Sequence, residues 1–234
     1  MAAAIEYEVD GETFTGYVAD GSGGKPAPGV VVFHEASGLG AHARDKAELL
    51  AKAGYVALAA DLFGGVANDL SEATGYITRL SSEPGLLRRR CTAAFDLLAA
   101  RPNVDASRMA AIGFCFGGQA ALELARSGAA LKAVVGFHSG LGKPNPESAG
   151  QIQGKVLLCI GDADPLVSRK ARDDFMDDMN AAAVDCQLLT FAGVGHSFTN
   201  VDAKAFGVAG CEYDARAERR SWAAMHALFA EAFA

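Results

Sequence analysis

The sequence predicts an α/β protein: a mostly parallel sheet with helices on both faces. Three observations carry this. Short, continuous apolar runs such as Val30–Phe33, Ala133–Phe137 and Val156–Ile160 read as strands buried on both sides. Segments of helical apolar spacing lie between them, and several stop at a glycine, as at Gly54 and Gly128. Strand and helix then alternate along the whole length, which is the pattern of a parallel sheet covered on both faces.

Taken in order, Ile5–Val9 and Thr13–Ala19 alternate around Asp10-Gly11 and predict a β-hairpin. Residues 21–28, rich in Gly and Pro, form a surface loop. The strand Val30–Phe33 leads to a helix over Ala43–Ala53 and a second buried strand, Tyr55–Ala60. Phe63–Gly85 is polar, Gly-containing and the least regular stretch, and it reads either as an ordinary connection or as a lid over a site. Helix Leu86–Ala100 precedes the strand Arg108–Ile112, and helix Gln119–Arg126 follows it. Beyond the strands Ala133–Phe137 and Val156–Ile160, the pattern gives helix Ser168–Ala182, strand Cys186–Phe191 and a closing helix, Ala215–Phe233. No linker divides residues 1–234, so one domain is expected.

Composition narrows the function. Half the residues are hydrophobic, ample for a full core, and the net charge of −7 disfavours nucleic acid or an anionic membrane as partner. The N-terminus lacks the charged and apolar regions of a signal peptide, and no run reaches the roughly 20 apolar residues of a membrane span. Five scattered cysteines without a C-x-x-C pair suit a reducing cytoplasm, with neither a zinc site nor a cofactor indicated. No dinucleotide fingerprint is present.

The chemistry centres on Gly113-Phe114-Cys115-Phe116-Gly117-Gly118, a strand–turn–helix elbow with cysteine at its nucleophile position. The following helix aims its N-terminal dipole and free N–H groups at this residue, which favours a thiolate. In a parallel sheet, functional residues gather at the carboxyl ends of the strands. Asp164, His196 and Glu35 are each placed there by the sequence, in Gly161–Val167, Ala192–Phe198 and His34–Gly38. The order nucleophile, acid, histidine is that of the α/β-hydrolase fold. His196 would move the proton, Asp164 would orient the imidazole, and the backbone N–H groups of Phe116 and Ala36 would form an oxyanion hole. His138 competes with His196 for the base, and Asp162 with Asp164 for the acid. His42 and His226 read as solvated or packed helix residues.

On four motifs, His34-Glu-Ala-Ser-Gly38, the cysteine elbow, Gly161-Asp-Ala-Asp-Pro-Leu-Val167 and Gly195-His-Ser-Phe198, the chain resembles the dienelactone hydrolase family over nearly its whole length. The resemblance implies a cysteine acyl-enzyme built from Cys115, Asp164 and His196, acting on a small ester or lactone; the sequence itself leaves monomer and homodimer both open. The resemblance also implies that Glu35 takes the thiol proton when substrate arrives. The family's characterised members bind a carboxylate-bearing enol-lactone through arginines, one of them a few residues after the histidine. Here that position reads Asn200. Phe63, Arg79, His138, Ser197 and Asn200 are expected to line the substrate pocket, with Arg79 as its cation. Rival readings are an amide or thioester substrate at the same residues, and a non-catalytic binding or sensing module. A cysteine phosphatase is excluded, because Ala121 stands where its loop requires arginine.

Overall fold

The computed structural model describes residues 2–142 and 146–234. One eight-stranded sheet forms its centre, built from β1 (Ala2–Val9), β2 (Glu12–Asp20), β3 (Ala27–Phe33), β4 (Val56–Ala60), β5 (Val104–Phe114), β6 (Ala133–Phe137), β7 (Lys155–Gly161) and β8 (Cys186–Phe191). The spatial order is β1-β2-β4-β3-β5-β6-β7-β8. The hairpin β1–β2 joins β4 antiparallel, and every later pairing is parallel.

The continuous apolar runs have the expected cause. Along β3, Val31 and Phe33 pack into one core, while Val30 and Val32 pack into the other. Helices α1 (Ala41–Lys52) and α7 (Ala215–Ala232) cover one face through Ala47, Leu50, Met225 and Phe229. Helices α3 (Leu86–Ala99), α4 (Phe116–Arg126) and α6 (Arg169–Ala181) cover the other through Cys91, Leu98, Leu124 and Phe175. Cys159 is fully buried in β7, and Cys186 is half-buried at the start of β8.

Two elements differ from expectation. Strand β5 starts at Val104 rather than Arg108, because its register against β3 breaks between Pro28 and Gly29 and resumes at Met109. The bulge is closed locally by Asp105, whose carboxylate accepts the Ser107 N–H at 3.0 Å. The larger correction concerns 63–85, much of which is the helix α2 (Leu70–Ser82). Asp69 caps it by accepting the Glu72 N–H at 2.9 Å, and Glu72 in return accepts the Asn68 N–H. Leu80 anchors the helix in the core, and Tyr76 stacks on Phe63 with ring centroids 4.8 Å apart. A four-residue helix, α5 (Pro146–Ala149), completes the set.

The register brings the carboxyl ends of the central strands level. Phe33 pairs with Gly113, Phe114 with Phe137, and Phe137 with Cys159. The segments that follow β3, β5, β6, β7 and β8 therefore emerge on one edge, where a ligand can meet all of them.

Candidate active site

Cys115 stands between the last residue of β5 and the first of α4, with φ 53° and ψ −117°. A non-glycine residue in that region is strained by about 1–3 kcal/mol, so the surroundings must hold it. They do so through three backbone bonds. The Cys115 N–H donates to the Phe137 carbonyl at 3.1 Å, and its carbonyl accepts from Gly118 and Gly140 at 3.1 and 2.9 Å. Close approach finishes the turn. A Cβ on Gly117 would lie 2.2 Å from the Phe33 carbonyl oxygen and 2.5 Å from that of His34. Gly117 thus allows α4 to press against the end of β3, and Gly118 allows it to approach Ser139 just after β6.

His196 and Asp164 form a buried pair. Asp164 Oδ2 accepts from His196 Nδ1 at 2.7 Å, while Asp164 Oδ1 accepts the N–H groups of Leu166 and Val167 at 2.8 and 3.2 Å. Asp164 is therefore fixed by its own loop before it meets the histidine. The rival carboxylate, Asp162, is occupied with Arg169 and Arg172 of α6. His196 is tied in turn by its N–H to the Gly210 carbonyl at 2.8 Å and by its carbonyl to the Glu212 N–H at 3.0 Å. Burial works against a charge on the imidazole, but Asp164 and the nearby Cys115 outweigh it and raise its pKa to about 11. Nε2 is buried without a hydrogen bond of good geometry, and it belongs to the same cavity wall as Cys115.

Glu35 follows β3 and is 7% exposed. Burial raises its carboxyl to a pKa of about 7, against the Asn200 hydrogen bond and the His196 charge that lower it. Its Oε2 accepts from Asn200 Nδ2 at 2.5 Å, and its Oε1 is buried and unpartnered. His42 Nδ1 lies 3.4 Å from Oε2, and His138 Nε2 lies 3.9 Å from Oε1. Both histidines are held neutral by burial, His42 at about 3 and His138 well below its ordinary value. Neither provides Glu35 with a cation, so burial prevails over the Asn200 hydrogen bond and the more distant His196 and Lys46 charges, and the carboxyl exchanges its proton near neutral pH. Thr199 links the group, its hydroxyl lying 2.8 Å from His138 Nε2 and 3.2 Å from His42 Nε2.

The preceding residue, His34, is structural. Its Nε2 accepts the Leu62 N–H at 3.1 Å, which leaves Nδ1 to donate to the Glu35 carbonyl at 2.7 Å. Gly38 then carries φ 91°, with Gly65 O 2.4 Å from where a Cβ would sit, so the loops after β3 and β4 touch. Ala36 lines the cavity beside Glu35, and the Phe116 side chain is buried against Phe63. The N–H of Phe116, the first residue of α4, has no acceptor within its own helix.

Glu35, Ala36, Cys115, His196, Ser197 and Asn200 all line one cavity of about 250 Å³. Asp164 supports it from behind. The other pocket expectations place differently. Arg79 is half exposed on α2 and pairs with Glu12 of the hairpin, away from the cavity. Phe63 is buried, stacked on Tyr76 and in edge contact with His34, and it does not line the cavity. His138 is fully buried one layer below, packed edge-on to His196 and Phe198. It supports the floor of the site instead of contacting a ligand. The stretch read as a connection or a lid does reach the cavity, where α2 contributes Leu70 and Ala73 to its wall.

Sequence reasoning missed several groups. His42, read as an ordinary helix residue, packs on Phe114 and reaches Glu35. Thr199 lies 157 positions away from it, a separation no local pattern can bridge. Cys211 reaches the cavity because its backbone bridges to His196. Leu166, beside Asp164, was within the quoted acid motif, and its apolar character was a usable signal.

A thiol at a strained elbow, a carboxylate-bound imidazole and a chain order of nucleophile, acid and histidine point to one group of hydrolases, and residues 14–233 match the dienelactone hydrolase family. The chain belongs to the dienelactone hydrolase family. It is therefore an ester or lactone hydrolase of the α/β-hydrolase fold. Among relatives of this dienelactone hydrolase-family chain, a probable 2-oxo-3-(5-oxofuran-2-ylidene)propanoate lactonase of Bradyrhizobium sp is 30% identical, covering 83% of this chain and 82% of its own. The solved structure of m3DLH is 46% identical with a TM-score of 0.95, covering 100% of this chain and 99% of its own. That of a dienelactone hydrolase-like promiscuous phosphotriesterase from metagenomic libraries is 44% identical with a TM-score of 0.94, covering 99% and 98%.

Proposed function

We propose that the protein hydrolyses a small ester or lactone through an acyl intermediate on Cys115. The observation that carries this reading is the buried 2.7 Å contact between His196 and Asp164, made on the wall of the cavity that also holds the strained thiol. The strong support for charge on His196 divides the proton work. An imidazole already charged at neutral pH is a poor acceptor for the thiol proton, but it is well placed to protonate a leaving group. Glu35, with a pKa of about 7 and an unpartnered Oε1, is the acceptor poised for the thiol proton.

The steps follow. Sγ of Cys115 attacks the carbonyl carbon as its proton passes to Glu35. The N–H groups of Ala36 and Phe116 hold the oxyanion. The C–O bond breaks as His196 Nε2–H protonates the alkoxide, leaving a thioester on Cys115. Water then attacks that thioester and gives a proton to the now neutral His196. The acid departs, the sulfur leaves as thiolate, and Glu35 returns the proton it took, restoring the thiol and its own carboxylate. Asp164 keeps Nδ1 protonated throughout, so Nε2 is the atom that exchanges protons.

The test is Cys115→Ala, assayed on p-nitrophenyl butyrate and a panel of small lactones. Loss of turnover with an unchanged melting temperature supports the reading, and retained turnover removes it. A second reading is favoured by the 44% identity to a promiscuous phosphotriesterase. In it, the same thiol attacks the phosphorus of a neutral phosphotriester and displaces an aryloxide. Cys115-dependent release of p-nitrophenol from diethyl p-nitrophenyl phosphate supports it, and its absence rejects it.

A further inference from the structure

We infer that the cavity selects uncharged substrates: neutral esters and lactones with apolar acyl groups, not substrates carrying a carboxylate. This rests on the hydrolase reading above and specifies its substrate class.

The first observation is that, among the described residues, no lysine or arginine lines the cavity to pair with a substrate carboxylate. The neighbouring cations are engaged elsewhere: Arg79 with Glu12, Lys46 with Glu218 behind α1, and Lys204 with Glu212 on the surface. Apart from the His196 imidazolium, whose charge is paired with the buried Asp164 carboxylate, the charge at the wall is acidic, from Asp202 and from Glu35 whenever it ionises. A substrate carboxylate would lose hydration here without gaining a bidentate guanidinium or an ammonium, since the His196 imidazolium is already paired with Asp164, and it would face carboxylates of its own sign.

The second observation concerns Asn200. Its amide is consumed within the protein. Nδ2 donates to Glu35 Oε2 at 2.5 Å, and Oδ1 accepts the Asp202 N–H at 2.9 Å. Asn200 therefore positions Glu35 and leaves little hydrogen-bonding capacity for an anion.

The third observation is the remaining wall. Leu70, Ala73, Leu166, Ala203, Ala205 and Val208 make its outer part apolar. Leu70 and Leu166 are 52% and 59% exposed, large apolar side chains left uncovered at the rim. An apolar acyl or alkyl group would remove them from water, which favours binding in proportion to the area covered.

The test compares three p-nitrophenyl esters of similar length on the wild-type protein. One bears a terminal methyl ester, one a free carboxylate and one a trimethylammonium group. The expected result is a kcat/KM for the carboxylate at least tenfold below that of the neutral ester, expressed mainly in KM. The cationic ester should fall between them or match the neutral one. In Asp202→Asn the carboxylate-to-neutral ratio should rise. Equal or better use of the carboxylate substrate, with turnover still dependent on Cys115, overturns this inference while leaving the acyl-cysteine reading intact. Turnover of the neutral ester by Cys115→Ala overturns that reading, and this inference falls with it.

Discussion

Replacing Asp164 by Asn changes one atom and separates charge from shape. Asp164 Oδ1 already accepts the Leu166 and Val167 N–H groups, and asparagine can keep both with its carbonyl oxygen. Its NH2 group then faces His196 Nδ1, at the position where the 2.7 Å hydrogen bond now lies. Donor facing donor is unfavourable, so the imidazole proton moves to Nε2, the wrong tautomer to accept a proton from water. The variant also loses a carboxylate roughly 4 Å from the imidazolium charge. At an effective dielectric constant of about 20, that is worth about 4 kcal/mol, or roughly a thousandfold in rate. We expect kcat/KM on p-nitrophenyl butyrate to fall about 10³-fold at pH 7.5, with secondary structure and cooperative melting retained. A folded Asp164→Asn protein within about tenfold of wild type would refute the role given to this pair. The same contact predicts a pH signature. His196 has a folded pKa raised from 6.5 to about 11, so its stabilisation is complete below pH 6.5 and is lost as pH rises through about 11. The stability difference between wild type and Asp164→Asn should therefore shrink between pH 7 and pH 10 in urea titrations.

Three further outcomes follow from named contacts. Glu35 has a folded pKa raised from 4.5 to about 7, so its ionised form opposes folding above that pH. Glu35→Gln should be more stable than wild type by about 3 kcal/mol at pH 8, or roughly 10 °C in Tm, with little gain at pH 4; calorimetry at both pH values checks this, and a gain equal at the two would exclude it. Gly117→Ala places a methyl group 2.2 Å from a backbone oxygen that cannot yield. It should cost at least about 3 kcal/mol despite alanine's better helix propensity, measured by chemical denaturation. Arg79→Ala removes only an exposed pair with Glu12, so kcat/KM should stay within twofold and stability within about 0.5 kcal/mol; a large rise in KM would instead place Arg79 at the substrate.

The parts legible in the sequence were those set by local chemistry. Parallel strands declare themselves as apolar runs because both faces are buried, as at Val30–Phe33. The elbow declares itself because only glycine tolerates the approach of β3 to α4 at Gly117. Helix α2 escaped notice because Gly75 and a polar face hide its period, although Asp69 and Glu72 form a readable cap. Asp164 and His196 could be ordered along the chain, but the separation of Asp164 from Asp162 needed the arginines of α6, which occupy the latter. The cluster of His42, His138 and Thr199 beneath Glu35 was out of reach, since its contacts join three distant segments. Arg79 illustrates the opposite error. A cation near an expected lid looks useful until the helix that carries it turns it toward the hairpin.

The central claim, a covalent acyl group on Cys115, is tested most directly by trapping. Wild-type protein mixed with excess p-nitrophenyl butyrate, quenched in acid within milliseconds and analysed by intact and peptide mass spectrometry, should carry one butyryl group on the peptide containing Cys115. A burst of p-nitrophenol equivalent to the enzyme should accompany it. Turnover with no adduct and no burst, together with activity remaining in Cys115→Ala, would contradict the account.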